Sequence, residues 1–136
     1  MTTDAGLRNV FAEVIYEDLP AAITWLADAF GFAPGRQATD DEGTVVFAEL
    51  HAGAGTLLAR VPERDGELSP RSLGGTSQQL YVLVDDPDAH YAQATARGAE
   101  IVLEPTDMPF GARLYSVRDP EGHLWTFGTY QVRAGS

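Results

Sequence analysis

Val10-Phe11-Ala12-Glu13-Val14-Ile15-Tyr16, followed by Glu17-Asp18-Leu19-Pro20 and then by Ile23, Leu26, Ala27 and Phe30, reads as a strand running into a helix. The first seven residues are rich in β-branched and aromatic side chains. The apolar residues that follow recur at i, i+3, i+4 and i+7, the spacing of one helix face. Asp18 is placed to cap the helix and Gly31 to stop it. The second half of the chain repeats the pattern. Leu80-Tyr81-Val82-Leu83-Val84 leads into Asp85-Asp86-Pro87-Asp88, and a helix continues through Tyr91 and Ala94 to Gly98. Here Asp86 caps and Pro87 takes the first helical position. Cap to stop is thirteen positions in the first copy, Asp18 to Gly31, and twelve in the second, Asp86 to Gly98. One supersecondary unit has been written twice.

Three strands are expected after each helix: near Gly35–Thr39, Thr44–Leu50 and Thr56–Val61, then near Glu100–Glu104, Ala112–Arg118 and Leu124–Tyr130. Turns separate them at 40–43, around Gly53-Ala54-Gly55, and at Asp119-Pro120-Glu121-Gly122, where Pro and Gly suit a tight reversal. The predicted fold is therefore α+β: two tandem βαβββ modules forming a curved mixed sheet around a cup-shaped cavity, helices outside. Residues 1–136 read as one domain, with module 1 at about 8–61, a linker or flap at 62–77 without periodicity, and module 2 at about 78–131. Strand parity places Ala12, Val14 and Tyr16 toward the helix and Phe11, Glu13 and Ile15 toward the cup. In module 2 it places Leu80, Val82 and Val84 toward the helix, with Gln79, Tyr81 and Leu83 toward the cup.

Composition narrows the function. The chain has no cysteine, so disulfides, thiolate metal sites and cysteine nucleophiles are excluded. A net charge of −11 repels nucleic-acid phosphates and anionic lipids and favours cationic small molecules. No apolar run is long enough to span a bilayer, and Met1 to Gly6 has neither a basic nor a hydrophobic leader region. A cytoplasmic location is expected, with no nucleic acid and no membrane as partner. Phosphate-loop, nucleophile-elbow and triad signatures are absent.

The repeat, together with Asp119-Pro120-Glu121-Gly122-His123-Leu124-Trp125-Thr126-Phe127-Gly128, resembles the vicinal oxygen chelate superfamily, which holds glyoxalase I, extradiol dioxygenases, and fosfomycin- and bleomycin-resistance proteins. Gly111-Ala112-Arg113-Leu114-Tyr115, Ala21-Ala22-Ile23-Thr24-Trp25-Leu26 and Phe30-Gly31-Phe32 resemble its glyoxalase-like and bleomycin-resistance-like branch. The resemblance implies that metal-using members place a His or Gln from each first strand and usually a Glu from each last strand into the cup. Here those positions fall on Phe11, Gln79, Ala59 or its neighbour, and Thr126. Of these, Gln79 alone carries a customary ligand, so no metal and no other cofactor is expected. It also implies a homodimer whose chains complete each other's cups.

Candidate ligand-binding residues are the carboxylates Glu13 and Glu49, the aromatics Phe11, Phe47 and Tyr81, and the polar Gln79, Thr126, Arg113 and Tyr115. A carboxylate against an apolar wall could act as a base or receive a cation. Arg113 offers a planar fork to a ligand, or pairs with Asp119 to fix the turn. Trp25, Phe30, Trp125 and Phe127 are read as core. His51 falls at a turn, His90 on the second helix as a solvated or half-buried residue, and His123 is expected to bond locally. Catalytic residues are not legible. The expected function is a metal-free small-molecule binding protein, its ligand aromatic or cationic and antibiotic-like. The alternatives are a metal-dependent lyase, isomerase or dioxygenase of the same superfamily, or a member whose cup is too filled to bind.

Overall fold

A computed structural model describes residues 10–133; the reading of Met1 to Gly6 lies outside the described residues. Module 1 comprises β1 (Glu13–Ile15), α1 (Leu19–Phe30), β2 (Ala33–Thr39), β3 (Val45–Ala52) and β4 (Gly55–Arg60). Module 2 comprises β5 (Leu80–Leu83), α3 (Pro87–Ala96), β6 (Glu100–Asp107), β7 (Arg113–Arg118) and β8 (Leu124–Gly128). The segment between them, expected to lack regular structure, contains one short helix, α2 (Pro70–Leu73).

The two sheets have the same order, β1-β4-β3-β2 and β5-β8-β7-β6. In each, the first strand runs parallel to the last and the other pairs are antiparallel. The helix ends follow from local chemistry. Asp18 and Asp86 accept from the backbone N–H groups of Ala21 and Ala89, and Gly31 closes α1 at φ 75°. The Asp119–Gly122 turn closes with Gly122 N–H donating to the Asp119 carbonyl, Gly122 lying at φ 93°.

One core serves both modules. Val14 and Tyr16 of β1, Leu26 and Phe30 of α1, and Trp125 and Phe127 of β8 are all buried in it. Phe30 meets Trp125 at 5.6 Å and Phe127 at 4.7 Å between ring centroids, both edge-on. The Trp25 indole donates to the Arg97 carbonyl at 3.0 Å, tying α1 to the end of α3. Each sheet therefore buries its helix-side face, and its other face carries the candidate site.

Candidate ligand-binding site

On the module 1 sheet, Glu13 stands opposite Leu58, which stands opposite Glu49; Ile15, Arg60 and Phe47 form the next row. These side chains alternate with the buried Val14, Ala59, Ala48 and Leu50, so all six lie on the face away from α1. Arg60 is held from several sides. Its Nε donates to Glu13, its Nη1 and Nη2 donate to Glu67 at 2.9 and 2.7 Å, and Nη1 also reaches the Val61 carbonyl. The Arg60 hydrogen bonds, with the Glu63 backbone N–H, hold the Glu67 carboxyl well below the usual range. Glu13 is thus charge-compensated by Arg60. Half-buried Glu49 has no ion pair or side-chain hydrogen bond among the described residues.

The corresponding face of module 2 carries a short polar ladder. Ser116 Oγ lies 2.7 Å from Thr126 Oγ1, and Thr126 Oγ1 donates to Gln79 Oε1 at 2.6 Å. Tyr81 stands opposite Thr126 on the same face. Its hydroxyl donates to the Tyr130 carbonyl at 2.6 Å, and desolvation raises its pKa above the usual tyrosine value. Leu83, Phe110 and Tyr130 continue this surface, Phe110 and Tyr130 with ring centroids 5.7 Å apart.

The register decides between Ala59 and its neighbour. Glu13 pairs with Leu58 as Tyr81 pairs with Thr126, so the module 1 counterpart of Thr126 is Leu58. Ala59, one residue on, is fully buried on the helix side. Two candidate residues also sit elsewhere than expected. Tyr115 is fully buried beneath α3, its hydroxyl bonded to His90 Nδ1, and burial raises its pKa. Arg113 shares that face of β7 and pairs with Asp88 at 2.8 Å and Asp107 at 3.1 Å, not with Asp119. The charge that attracts it is on α3, which strand spacing does not reveal.

Of the histidines, His51 is exposed and contacts the Thr56 hydroxyl. His90 bridges Tyr115 and the Phe30 carbonyl. His123, expected to bond locally, instead reaches the Ile15 carbonyl 108 residues away at 2.6 Å. Two hubs escaped the sequence reading: Arg60, and Asp119, which accepts from the Tyr16 hydroxyl at 2.6 Å and the Trp125 indole at 3.1 Å. Each joins near neighbours to one remote partner, Glu13 for Arg60 at 47 residues and Tyr16 for Asp119 at 103, and no local pattern marks those remote partners.

Two clefts border β1 and β5. One, of about 530 Å³, is lined by Glu13, Ile15, Leu68, Leu73, Leu80 and Leu124 among others. The other, of about 380 Å³, is lined by Leu57, Tyr81, Leu83 and the 52–56 turn among others. Among the described residues no three His, Cys, Asp or Glu side chains cluster so as to hold a metal ion. No described helix is long and apolar enough to cross a membrane.

The family model described as Glyoxalase/Bleomycin resistance protein/Dioxygenase superfamily matches residues 9–127. An uncharacterized protein of Mycobacterium bovis is 30% identical over 119 residues, covering 85% of this chain and 78% of its own. A putative glyoxylase of Mycobacterium bovis, CFP32, shares 38% identity over only 47 residues, 35% of this chain and 18% of that protein. Among solved structures, TioX from Micromonospora sp. ML1 superposes with a TM-score of 0.74 at 36% identity, covering 93% of this chain and 98% of its own. A superfamily member from Sphaerobacter thermophilus superposes at 0.71 with 20% identity, covering 91% and 98%; that likeness is one of fold.

Proposed function

From the premise that this chain belongs to the glyoxalase/bleomycin resistance protein/dioxygenase superfamily, we propose that it binds a planar small molecule in a cup without a metal. The observation that carries this reading is the donor set. At the four positions where the resemblance would put the ligands of metal-using relatives, this chain has Phe11, Gln79, Thr126 and, by the pairing of Glu13 with Leu58 and Tyr81 with Thr126, Leu58. Two hydrocarbon side chains, an amide and a hydroxyl do not fit a divalent ion that wants imidazole and carboxylate donors. The residues around them favour a flat apolar ligand: Phe47 on one sheet, Tyr81 and Leu83 on the other. Glu49 and the net charge of −11 favour one that also carries positive charge.

The proposal includes a homodimer. Tyr81 is 36%, Leu83 52%, Phe110 62% and Tyr130 50% exposed. An exposed apolar surface of this kind, with Tyr130 ring-to-ring against both Tyr81 and Phe110, supports burial against a second chain. A cup completed by two chains would join the module 1 face of one to the module 2 face of the other.

Metal content by elemental mass spectrometry, on protein purified without chelator, tests the metal-free state. Substoichiometric metal, and no binding of added nickel or zinc, is the expected result. About one equivalent per chain overturns the reading and moves the protein to the lyase, isomerase or dioxygenase class. A thermal-shift screen of planar aromatic compounds, cationic and neutral, tests the binding role. A ligand at 100 times its Kd stabilises by about 2.7 kcal/mol, well within reach of such a screen. A screen in which nothing raises Tm counts against the role.

A further inference from the structure

Gln79 is the one residue of the four that carries a metal-type lone pair, and its hydrogen bonds show how that lone pair is used. Thr126 Oγ1 donates to Gln79 Oε1 at 2.6 Å, while Ser116 Oγ lies 2.7 Å from Thr126 Oγ1. Thr126 is almost completely buried, and its single hydroxyl hydrogen is committed to Gln79. Ser116 must then donate to Thr126, and both hydroxyl hydrogens have acceptors. With the amide reversed, Gln79 would donate to Thr126 and Thr126 to Ser116, leaving the Ser116 hydrogen without an acceptor among the described residues. The structure sets the amide with Oε1 on Thr126, the arrangement in which both ladder hydroxyls have protein acceptors. Nε2 has no described acceptor, and Gln79 is exposed, so its hydrogens are available to a ligand.

We infer that Gln79 reads a carbonyl oxygen on the ligand, donating from Nε2 while the Ser116–Thr126 ladder holds the amide in that orientation. This rests on the metal-free binding reading above and names the ligand class: a planar, conjugated carbonyl compound that is not an anion, such as a lactam or quinone. Two features narrow it. Tyr81 is on the same face as Gln79, with its ring steadied by the bond to the Tyr130 carbonyl, and offers a stacking surface beside the amide. A carboxylate ligand is disfavoured because Arg60, a cation on the matching face of module 1, is already engaged by Glu13 and Glu67, in a protein of net charge −11.

The test titrates the full chain with 2-quinolone, a planar lactam, and with 2-aminoquinoline, which offers donors where the lactam offers an acceptor. Gln79→Glu replaces the outward N–H donors with a carboxylate oxygen. It is expected to weaken 2-quinolone about tenfold and to leave 2-aminoquinoline equal or tighter, reversing the preference. In the unmodified chain, the Gln79 side-chain amide protons are expected to shift downfield in ¹⁵N–¹H spectra on adding 2-quinolone, and not on adding 2-aminoquinoline. Thr126→Val releases Oε1 and is expected to shrink the preference without reversing it. If both compounds bind and Gln79→Glu leaves their ratio unchanged, the role of Gln79 is overturned while metal-free binding stands. If neither binds and metal is substoichiometric, the carbonyl class is overturned. One metal equivalent per chain overturns the reading beneath it.

Discussion

Asp119 holds four donors: the Tyr16 hydroxyl and Trp125 indole on Oδ2, and the backbone N–H groups of Glu121 and His123 on Oδ1. It is 1% exposed, so Asp119→Ala strands the buried Tyr16 hydroxyl and Trp125 indole away from water and frees both turn N–H groups. A loss of about 3–5 kcal/mol in urea unfolding is expected, against about 1 kcal/mol for Tyr16→Phe, which removes one donor and leaves the rest. Equal losses would show that the carboxylate is not the hub. The sequence marks Asp119 as a turn residue and offers Arg113 as its partner; the partner it has, Tyr16, lies 103 positions away. His90 gives a pH signature. Burial depresses its pKa below the usual 6.5, against a smaller opposing effect of the Phe30 carbonyl. The unfolded chain therefore takes up this proton first. His90's contribution is full above the unfolded value and is lost as pH falls through 6.5 toward the lower folded value. Urea midpoints at about pH 7.5 and about pH 5.5 are expected to differ less in His90→Gln than in the parent. An unchanged difference would assign the slope to other groups.

At the scale of elements, the helices were legible because caps and stops act within a few residues. Asp18, Gly31, Asp86 and Pro87 occupy the positions their chemistry suggests. Gly31→Ala is expected to cost about 1 kcal/mol, since alanine is strained at φ 75°. Gly128 is a different case: a Cβ there would lie 2.6 Å from Leu114 Cβ and 2.9 Å from the Arg113 carbonyl. Gly128→Ala is expected to cost about 1–3 kcal/mol by overpacking, read as a lower urea midpoint. A neutral result would mean that β7 yields easily at Leu114. Strand register was less legible. The sequence leaves Ala59 and its neighbour open because the glycine-rich turn at 53–55 gives no anchor comparable to Asp119–Gly122, and a slip of one residue changes the face. The expected first strand, Val10 to Tyr16, is longer than the paired strand, which runs Glu13–Ile15 opposite Leu58–Arg60. The short helix α2 has no apolar period of its own and draws on Pro70 at its start, while the Ser69 before it bonds Glu17 through both backbone and hydroxyl.

For the whole molecule, the exposed Tyr81, Leu83, Phe110 and Tyr130 surface makes self-association the central expectation. Sedimentation at about 10 µM is expected to give a dimer, and Leu83→Glu to shift it toward monomer by placing a charge on that surface. A monomeric parent would overturn the arrangement. The repeat and the strand parity were legible in the sequence because they are periodic; the way the modules meet was not, since it depends on pairs such as His123 with Ile15 and Trp25 with Arg97. Those pairs, with Phe30 set against Trp125 and Phe127, have a further consequence. The halves cohere through side chains as well as through the peptide that links them. A polypeptide severed at the exposed Asp65-Gly66 turn would therefore behave as two complementary pieces that recognise each other. Expressed as separate fragments, they would assemble into the parent's architecture, each serving as the template on which the other folds.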